Sequence, residues 1–213
     1  MAKRIAKFHK VSYEQFKEGY IDTFGNVEDA EILKVYEDIK LPKRATKGSA
    51  GYDFYTPVAL TIKPGETVKI PTGIRVEMEE EWVLKCYPRS GLGFKFRMQL
   101  NNTVGIIDSD YFYSDNEGHI FSKITNDTNE GKIIEIAAGT GFMQGIFVEY
   151  GITVDDDATE IRNGGFGSTT KKENMEEDAR FRASFLTIGS IIFISQTVYM
   201  FLAFTGILNK NMW

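Results

Sequence analysis

Residues 67–87, TVKIPTGIRVEMEEEWVLKCY, carry the clearest structural signal in the sequence. Apolar and polar side chains alternate in three short runs within this stretch, at 67–70, 74–78 and 82–87. Such alternation is typical of β-strands that bury one face and expose the other. We therefore predict three consecutive, half-buried strands here.

The same signal continues on both sides of this stretch. A short apolar run at 58–62 precedes it and ends at a turn, KPGE, at 63–66. Glycine or proline separates most of the further candidate strands, which lie at 94–100, 103–107, 119–125, 132–137 and 144–150. Many short strands at regular spacing predict an all-β fold, built as an antiparallel sandwich, a jelly roll or a small barrel.

Two short helices are predicted before the strands, within residues 12–39. Ser12 is placed to cap the first helix, with Gln15 three residues later, and Gly19 is expected to end it. The second helix is predicted over 26–40, where Ala30, Leu33 and Tyr36 lie about one helical turn apart.

The length and charge of the chain limit the classes of protein to which it belongs. Its 213 residues correspond to one domain, or to one domain with an appendage. Lysine and arginine number 25 against 30 aspartates and glutamates, a net charge of −5, so no basic surface for nucleic acid is expected. The first residues, MAKRIAK, lack the apolar region of a secretory signal, which favours a cytoplasmic setting.

The potential metal ligands point to oxygen chemistry. Cys86 is the single cysteine, which excludes an intramolecular disulfide, and it is expected to be an inert, packed thiol. With only His9 and His119 beside it, the chain lacks the ligands of a structural zinc site. Any metal ion is therefore expected to be Mg²⁺ or a related cation held by oxygen atoms.

Four polar segments contain side chains suited to chemistry, although each alone has a simple structural interpretation. They are GSAGYD at 48–53, PRSGLG at 88–93, NTVGIIDSDY at 102–111, and Arg162 with the glycine-rich stretch 163–170. Arginine, hydroxyl and backbone N–H groups beside glycines can bind phosphate oxygens. Equally, the first two are ordinary turns in most proteins, aspartates often decorate loops, and a glycine-rich stretch can be a linker.

In combination, these segments are far more specific. Five motifs follow one another in order: GSAGYDF at 48–54, PRSGLG at 88–93, GIIDSDY at 105–111, GTGFMQ at 139–144 and RNGGFGST at 162–169. In order and spacing they closely resemble the signature motifs of the homotrimeric dUTPases, and the amino-terminal segment resembles that of enzymes from Gram-positive bacteria and their phages. The resemblance covers residues 4 to 172.

This resemblance implies a fold and a reaction. The family fold is a jelly-roll-like β-barrel, and three chains share three active sites at their interfaces. The family reaction is attack of water on the α-phosphorus of dUTP, which gives dUMP and pyrophosphate with the help of Mg²⁺.

The resemblance also implies roles for individual residues. Asp108 matches the general base, Tyr111 the ring that packs on the deoxyribose, and Asp53 a residue that holds a water of the metal ion. The backbone near 102–107 is expected to read uracil, through Asn102, Gly105 and Ile107. Residues expected to contact the phosphates or the base are Arg89, Ser90, Gly91, Gln144, Arg162, Phe166, Gly167, Ser168 and Thr169.

Three departures from the family pattern affect the details. Residues 112–118, FYSDNEG, lengthen the segment after the third motif. Met143 stands where a small alanine is more usual, and the fifth motif has one residue fewer between Arg162 and its paired glycines. None of these changes removes a chemical group that the reaction needs.

The carboxy-terminal end has no counterpart in the family. The predicted organisation is a dUTPase domain at 1–170 with a mobile arm at 163–170, a charged linker at 171–184 and a hydrophobic helix at 185–208. No charged residue occurs between 183 and 209, and a helix over 185–208 would be about 36 Å long, enough to cross a bilayer. A membrane anchor, a tail buried in the trimer and a foreign extension without function all remain open.

Two other functions compete with the dUTPase interpretation. A dCTP deaminase shares the fold, although the complete fifth motif and the DSDY sequence favour a dUTPase. A protein that binds a regulator, with or without catalysis, is the second alternative. The amino-terminal helices and the insertion at 112–118 are the surfaces expected for such a partner.

Overall fold

A computed structural model describes residues 3–162 of the chain. The predicted arm, linker and hydrophobic helix lie outside the described residues, and so do Phe166, Gly167, Ser168 and Thr169. Within residues 3–162, twelve strands, three α-helices and one 3₁₀ helix follow one another. The all-β prediction with short amino-terminal helices is therefore confirmed.

The strands are short, as the sequence predicts. In chain order they are β1 (Ala6–Lys10), β2 (Lys43–Arg44), β3 (Tyr52–Tyr55), β4 (Leu60–Ile62), β5 (Thr67–Pro71), β6 (Ile74–Met78), β7 (Trp82–Pro88), β8 (Met98–Leu100), β9 (Gly105–Ile107), β10 (Phe121–Asn126), β11 (Ile134–Ile136) and β12 (Gly141–Glu149). The helices are α1 (Tyr13–Phe24), α2 (Asp29–Glu37) and α3 (Ser90–Phe96), and the 3₁₀ helix spans Ser109–Tyr113.

All strand pairs are antiparallel and form four small sheets within the described residues. The largest has the order β2-β3-β12-β7-β9, and a second has the order β5-β10-β8. β1 pairs with β6, and β4 pairs with β11. Side chains from these sheets meet in one main core, in which Phe54, Ile70, Leu84, Ile124 and Phe142 are completely buried.

The structure corrects two local predictions about the strands. The run 94–100 is not one strand, because α3 extends to Phe96 and only Met98–Leu100 is extended. Arg97 closes this helix in the left-handed region, with φ of 52°. The sequence pattern does not predict β1, whose residues pair with β6 and place Phe8 opposite Val76.

The amino-terminal helices form where expected, but their details differ. Ser12 caps α1, and its hydroxyl accepts a hydrogen bond of 3.2 Å from the Gln15 N–H. Gly19 does not end this helix, which continues to Phe24. Glycine is needed at position 19 because a Cβ there would lie 2.7 Å from Cζ of Phe121.

The inner face of α2 is also shifted by a residue from the predicted stripe. Ile32 is completely buried, whereas Ala30 and Leu33 are exposed. Tyr36 does contact the small second core around Phe16, as its position in the stripe predicts. The two helices therefore pack against each other through this second core.

The three α-helices described between residues 3 and 162 are all too short or too polar to cross a membrane.

Candidate active site

Three neighbouring strands, β3, β12 and β7, bring the first, second and fourth motifs together. In the register of β12, Gln144 lies opposite Asp53 on β3 and opposite Tyr87 on β7. Arg89 follows the end of β7, and its Nε lies 3.3 Å from Oδ1 of Asp53. Gln144 Nε2 donates a hydrogen bond of 3.2 Å to the carbonyl of Pro88. We call Asp53, Arg89, Ser90 and Gln144 the strand-end cluster.

A cavity of about 390 Å³ opens beside the strand-end cluster, and all four of its residues line it. Glycines keep this space open at two close approaches. A Cβ at Gly51 would lie 2.7 Å from Oε1 of Gln144, and one at Gly141 would lie 2.8 Å from Nη1 of Arg89. Larger side chains would therefore displace the polar groups that line the cavity.

The cluster offers both a cation and hydrogen-bond donors to a ligand. The Arg89 side chain is 43% exposed, whereas Asp53 beside it is only 16% exposed. Ser90 and Gly91 occupy the first turn of α3, and the first N–H groups of a helix have no partner within the helix. These groups suit an anionic ligand with several oxygen atoms.

The third motif forms a separate group of charges. Asp108 follows β9 directly, and Asp110 lies in the 3₁₀ helix. Arg162 binds both carboxylates: its Nε donates to Oδ1 of Asp110 over 2.8 Å, and its Nη2 donates to Oδ2 of Asp108. We call Asp108, Asp110 and Arg162 the acidic cluster.

Tyr111 follows Asp110 directly in the 3₁₀ helix. Its side chain is buried, and its hydroxyl donates a hydrogen bond of 2.8 Å to the carbonyl of His119. Asn116 Nδ2 donates to the same hydroxyl over 2.8 Å. Burial raises the pKa of Tyr111, so the phenol remains protonated. The predicted contact of its ring with a sugar stays a prediction.

The backbone predicted to read uracil begins in a turn at 101–104 that connects two different sheets. β8 pairs with β10, whereas β9 pairs with β7, so the two strands that flank residues 101–104 are not paired with each other. Asn102 is exposed, Ile107 packs against the main core, and Gly105 lies opposite Cys86. A Cβ at Gly105 would lie 3.1 Å from Cβ of Cys86.

The structure does not bring the two clusters together within one chain. Ile107 lies opposite Leu84 on β7, which places Asp108 at the level of Val83. Arg89 lies six residues further along the same direction, and at about 3.3 Å per residue this is a separation of about 20 Å. The strand-end cluster and the acidic cluster of one chain therefore lie towards opposite ends of β7.

Sequence reasoning missed the residues that hold the loop after the acidic cluster. Glu117 accepts hydrogen bonds from Ser12, and Arg75 donates to the carbonyl of Phe112. His119 is a completely buried core residue, and its Nε2 accepts a hydrogen bond of 2.9 Å from the Gly73 N–H. The one hint in the sequence was the insertion at 112–118, which departs from the family pattern and contains Phe112 and Glu117.

The fold and these clusters define an all-β, jelly-roll-like protein with several polar segments on short strands. A sequence model of the dUTPase family matches residues 37–170. The deoxyuridine 5'-triphosphate nucleotidohydrolase of Lactococcus lactis is 40% identical over 144 residues, which are 65% of this chain and 95% of that protein. The chain therefore belongs to the dUTPase family.

Solved structures of phage enzymes share the fold. The dUTPase of Staphylococcus bacteriophage 80alpha with dUPNHPP has a TM-score of 0.52 at 18% identity, covering 78% of this chain and 98% of that one. A mutant of the dUTPase from phage phi11 of S. aureus, which coordinates a structural Mg(II) ion, has a TM-score of 0.50 at 18% identity. It covers 74% of this chain and 98% of the phage chain.

Proposed function

We propose that this chain hydrolyses dUTP to dUMP and pyrophosphate, with Asp108 as the general base. The observation that carries this proposal is the position of Asp108 directly after β9. Its side chain is 41% exposed, so a water molecule can reach the carboxylate. A carboxylate within hydrogen-bond reach of a water molecule can take its proton as the water attacks.

The proposed step balances as a simple hydrolysis. The water oxygen forms a bond to the α-phosphorus, and the bond from that phosphorus to the bridging oxygen of the β-phosphate breaks. Pyrophosphate leaves with the electron pair, and the proton of the water passes to Asp108. Arg162 already contacts Asp108 within the chain, so we propose that it also reaches the substrate phosphates from this position.

The strand-end cluster is the proposed binding site for the phosphates. Arg89 supplies a guanidinium, Ser90 and Gly91 supply a hydroxyl and N–H groups, and Gln144 supplies an amide. Fixed donors of this kind stabilise the charge that develops during phosphoryl transfer without reorganisation of solvent. The cavity beside them has room for a chain of phosphate groups.

Mg²⁺ fits this arrangement as an ion held mainly by the substrate. Among residues 3–162, no group of three or more His, Cys, Asp or Glu side chains is placed to hold a metal ion. Mg²⁺ usually keeps several waters and binds through one or two carboxylates with phosphate oxygens. When bound, it would neutralise phosphate charge, and Asp53 would hold one of its waters.

We propose that the working enzyme is a homotrimer in which different chains complete each site. Asp108 and Arg89 of one chain lie about 20 Å apart along β7 and β9, too far to act on one α-phosphorus. The acidic cluster of one chain would therefore act with the strand-end cluster of another. In that arrangement Asn102, Gly105 and Ile107 would read uracil, and Tyr111 would contact the sugar.

The remaining proposed contacts belong to the fifth motif. Phe166 would stack on the base, and Gly167, Ser168 and Thr169 would contact the substrate as the arm closes. Closure would exclude water and orient the phosphates.

The direct test is release of pyrophosphate from dUTP by the full chain, with dCTP as the comparison substrate. Asp108→Asn is expected to abolish turnover and to retain binding of a non-hydrolysable dUTP analogue. Asp115→Asn is the matched control, because Asp115 is exposed on the same loop. Near-normal turnover by Asp108→Asn would refute the role of this residue, and ammonia release from dCTP would favour a deaminase.

A further inference from the structure

The loop that follows Asp108 is closed by its own hydrogen bonds. The Tyr111 N–H donates to the carbonyl of Asp108 over 3.2 Å, which ties the 3₁₀ helix to the proposed base. Asn116 and His119 bind the Tyr111 hydroxyl. Gly118 has φ of 68°, and a Cβ there would lie 2.6 Å from the Tyr111 carbonyl oxygen. The loop 109–119 is therefore tied to the backbone of Asp108 by its internal contacts.

Glu117 holds this loop to the amino-terminal part of the chain. Its carboxylate accepts two hydrogen bonds from Ser12, one of 2.7 Å from the backbone N–H and one of 2.6 Å from the hydroxyl. Glu117 has φ of 56°, a conformation that residues with side chains rarely adopt. Such a conformation persists where the surrounding contacts fix it, and it often marks a functional constraint.

Arg75 on β6 holds the same loop from a second direction. Its Nη2 donates a hydrogen bond of 2.6 Å to the carbonyl of Phe112, and its guanidinium lies 3.7 Å from the centre of the Phe112 ring. Its Nη1 lies 3.7 Å from the Glu117 carboxylate. We call Ser12, Arg75, Phe112 and Glu117 the loop brace.

Charge and hydrogen bonding favour the ionised form of Glu117. Burial alone raises the pKa of this carboxyl, but the hydrogen bonds from Ser12 and the positive charge of Arg75 outweigh burial, and the pKa falls below its usual value. The brace therefore works with a carboxylate that accepts both hydrogen bonds from Ser12 at neutral pH.

We propose that Glu117 is a positioning residue that fixes the direction of the Asp108 carboxylate by tying its loop to α1 and β6. This inference rests on the proposed hydrolysis of dUTP. It also gives α1 and the insertion at 112–118 a role in catalysis, because they contact each other through Ser12 and Glu117 of the brace. A small displacement of a catalytic group can cost about 100-fold in rate, so such a brace has a measurable effect.

Ser12 allows a test that separates the brace from helix capping. Aspartate caps helices as well as serine does, so Ser12→Asp keeps the cap of α1 but places a second negative charge against Glu117. Ser12→Thr keeps both the cap and the hydroxyl. We expect Ser12→Asp to lower kcat for dUTP by about tenfold, and Ser12→Thr to stay within about twofold of the unaltered chain.

Substitutions of Glu117 test the carboxylate itself. Glu117→Gln removes the charge, and Glu117→Gly removes the side chain while it relieves the left-handed backbone. Both are expected to lower kcat by about tenfold and to leave KM within about twofold, because the brace acts on Asp108 and not on substrate binding. Glu18→Gln on the exposed face of α1 is the matched control and is expected to keep full activity.

The outcomes separate this proposal from the proposed function. A chain that releases no pyrophosphate from dUTP overturns both. A chain that is active, with Ser12→Asp and both Glu117 variants at full kcat, overturns the positioning role alone. An increase in KM at constant kcat, or full activity of Glu117→Gly, also overturns it. If the Glu117 variants do not fold, the two Ser12 variants decide the question by the same criteria.

Discussion

His119 shows how one buried side chain can make the stability of the whole protein depend on pH. The ring is completely buried between Phe16 and Phe121, and its Nε2 accepts the Gly73 N–H. Burial lowers the pKa of His119 to about 3; Glu117 raises it and Lys69 lowers it further. The histidine is therefore neutral in the folded protein at all but strongly acidic pH.

Acid is expected to destabilise the fold through His119. An unfolded histidine takes up a proton below a pH of about 6.5, whereas the folded one does so only near pH 3, so stability falls between these values. Between pH 7 and pH 5 this side chain should account for a loss of about 2 kcal/mol in the free energy of unfolding.

Urea unfolding of His119→Gln and His9→Gln at both pH values, at one protein concentration, measures this contribution. The first variant should lose about 2 kcal/mol less than the unaltered chain on acidification, and the second should lose as much. An equal loss in all three proteins would contradict the prediction.

For single residues, the sequence predicts which side chains are functional candidates better than it predicts their burial or backbone conformation. The motifs identify Asp53, Arg89 and Gln144 as functional candidates, and the structure places them at one sheet edge. The conformation of Glu117 was not predictable, because it depends on a contact with Ser12, 105 residues earlier in the chain. The burial of Tyr111 depends on its packing in the main core, which the local sequence pattern does not reveal. A single sequence gives no measure of such contacts.

The first helix illustrates how packing can override local preference in a whole element. Gly19 in the middle of α1 is unfavourable for a helix, and alanine there would gain about 1 kcal/mol of intrinsic helix stability. The structure uses glycine because α1 approaches the Phe121 and His119 rings, which a Cβ would contact at 2.7 and 3.1 Å. Packing of α1 against these rings, and not helix propensity, therefore decides which residue stands at position 19.

Gly19→Ala is therefore expected to destabilise the protein despite the better helix former. Overpacking against two rings should lower the free energy of unfolding by about 1–2 kcal/mol. Glu18→Ala, on the exposed neighbouring position, is the control and should change it by less than about 0.5 kcal/mol. Thermal and urea unfolding of both variants measure the effect, and a gain of stability in Gly19→Ala would show that α1 does not pack so closely.

Strands with clear alternation were predictable, whereas those that depend on their partners were not. β5, β6 and β7 lie where the alternating runs predict them, although only β6 buries alternate residues, whereas β5 and β7 also bury neighbouring residues. β1 carries a basic, weakly alternating sequence and forms through its pairing with β6. The run 94–100 divides into α3 and β8, since Arg97 adopts a left-handed conformation that local pattern does not reveal.

On the scale of the whole molecule, the separation of the two clusters has the largest consequence. β9 runs antiparallel to β7, so the proposed base and the proposed phosphate ligands of one chain lie at opposite ends of this strand pair. The sequence alone suggests shared sites only through the family resemblance. The strand register gives an independent physical reason for them.

Complementation between inactive variants is the most direct measurement of this account. Asp108→Asn and Arg89→Gln chains, each inactive alone, are unfolded together and refolded as a mixture, and pyrophosphate release from dUTP is measured. If sites combine clusters from different chains, random assembly should restore about a quarter of the activity of the unaltered protein. A mixture no more active than either variant alone would contradict the shared site.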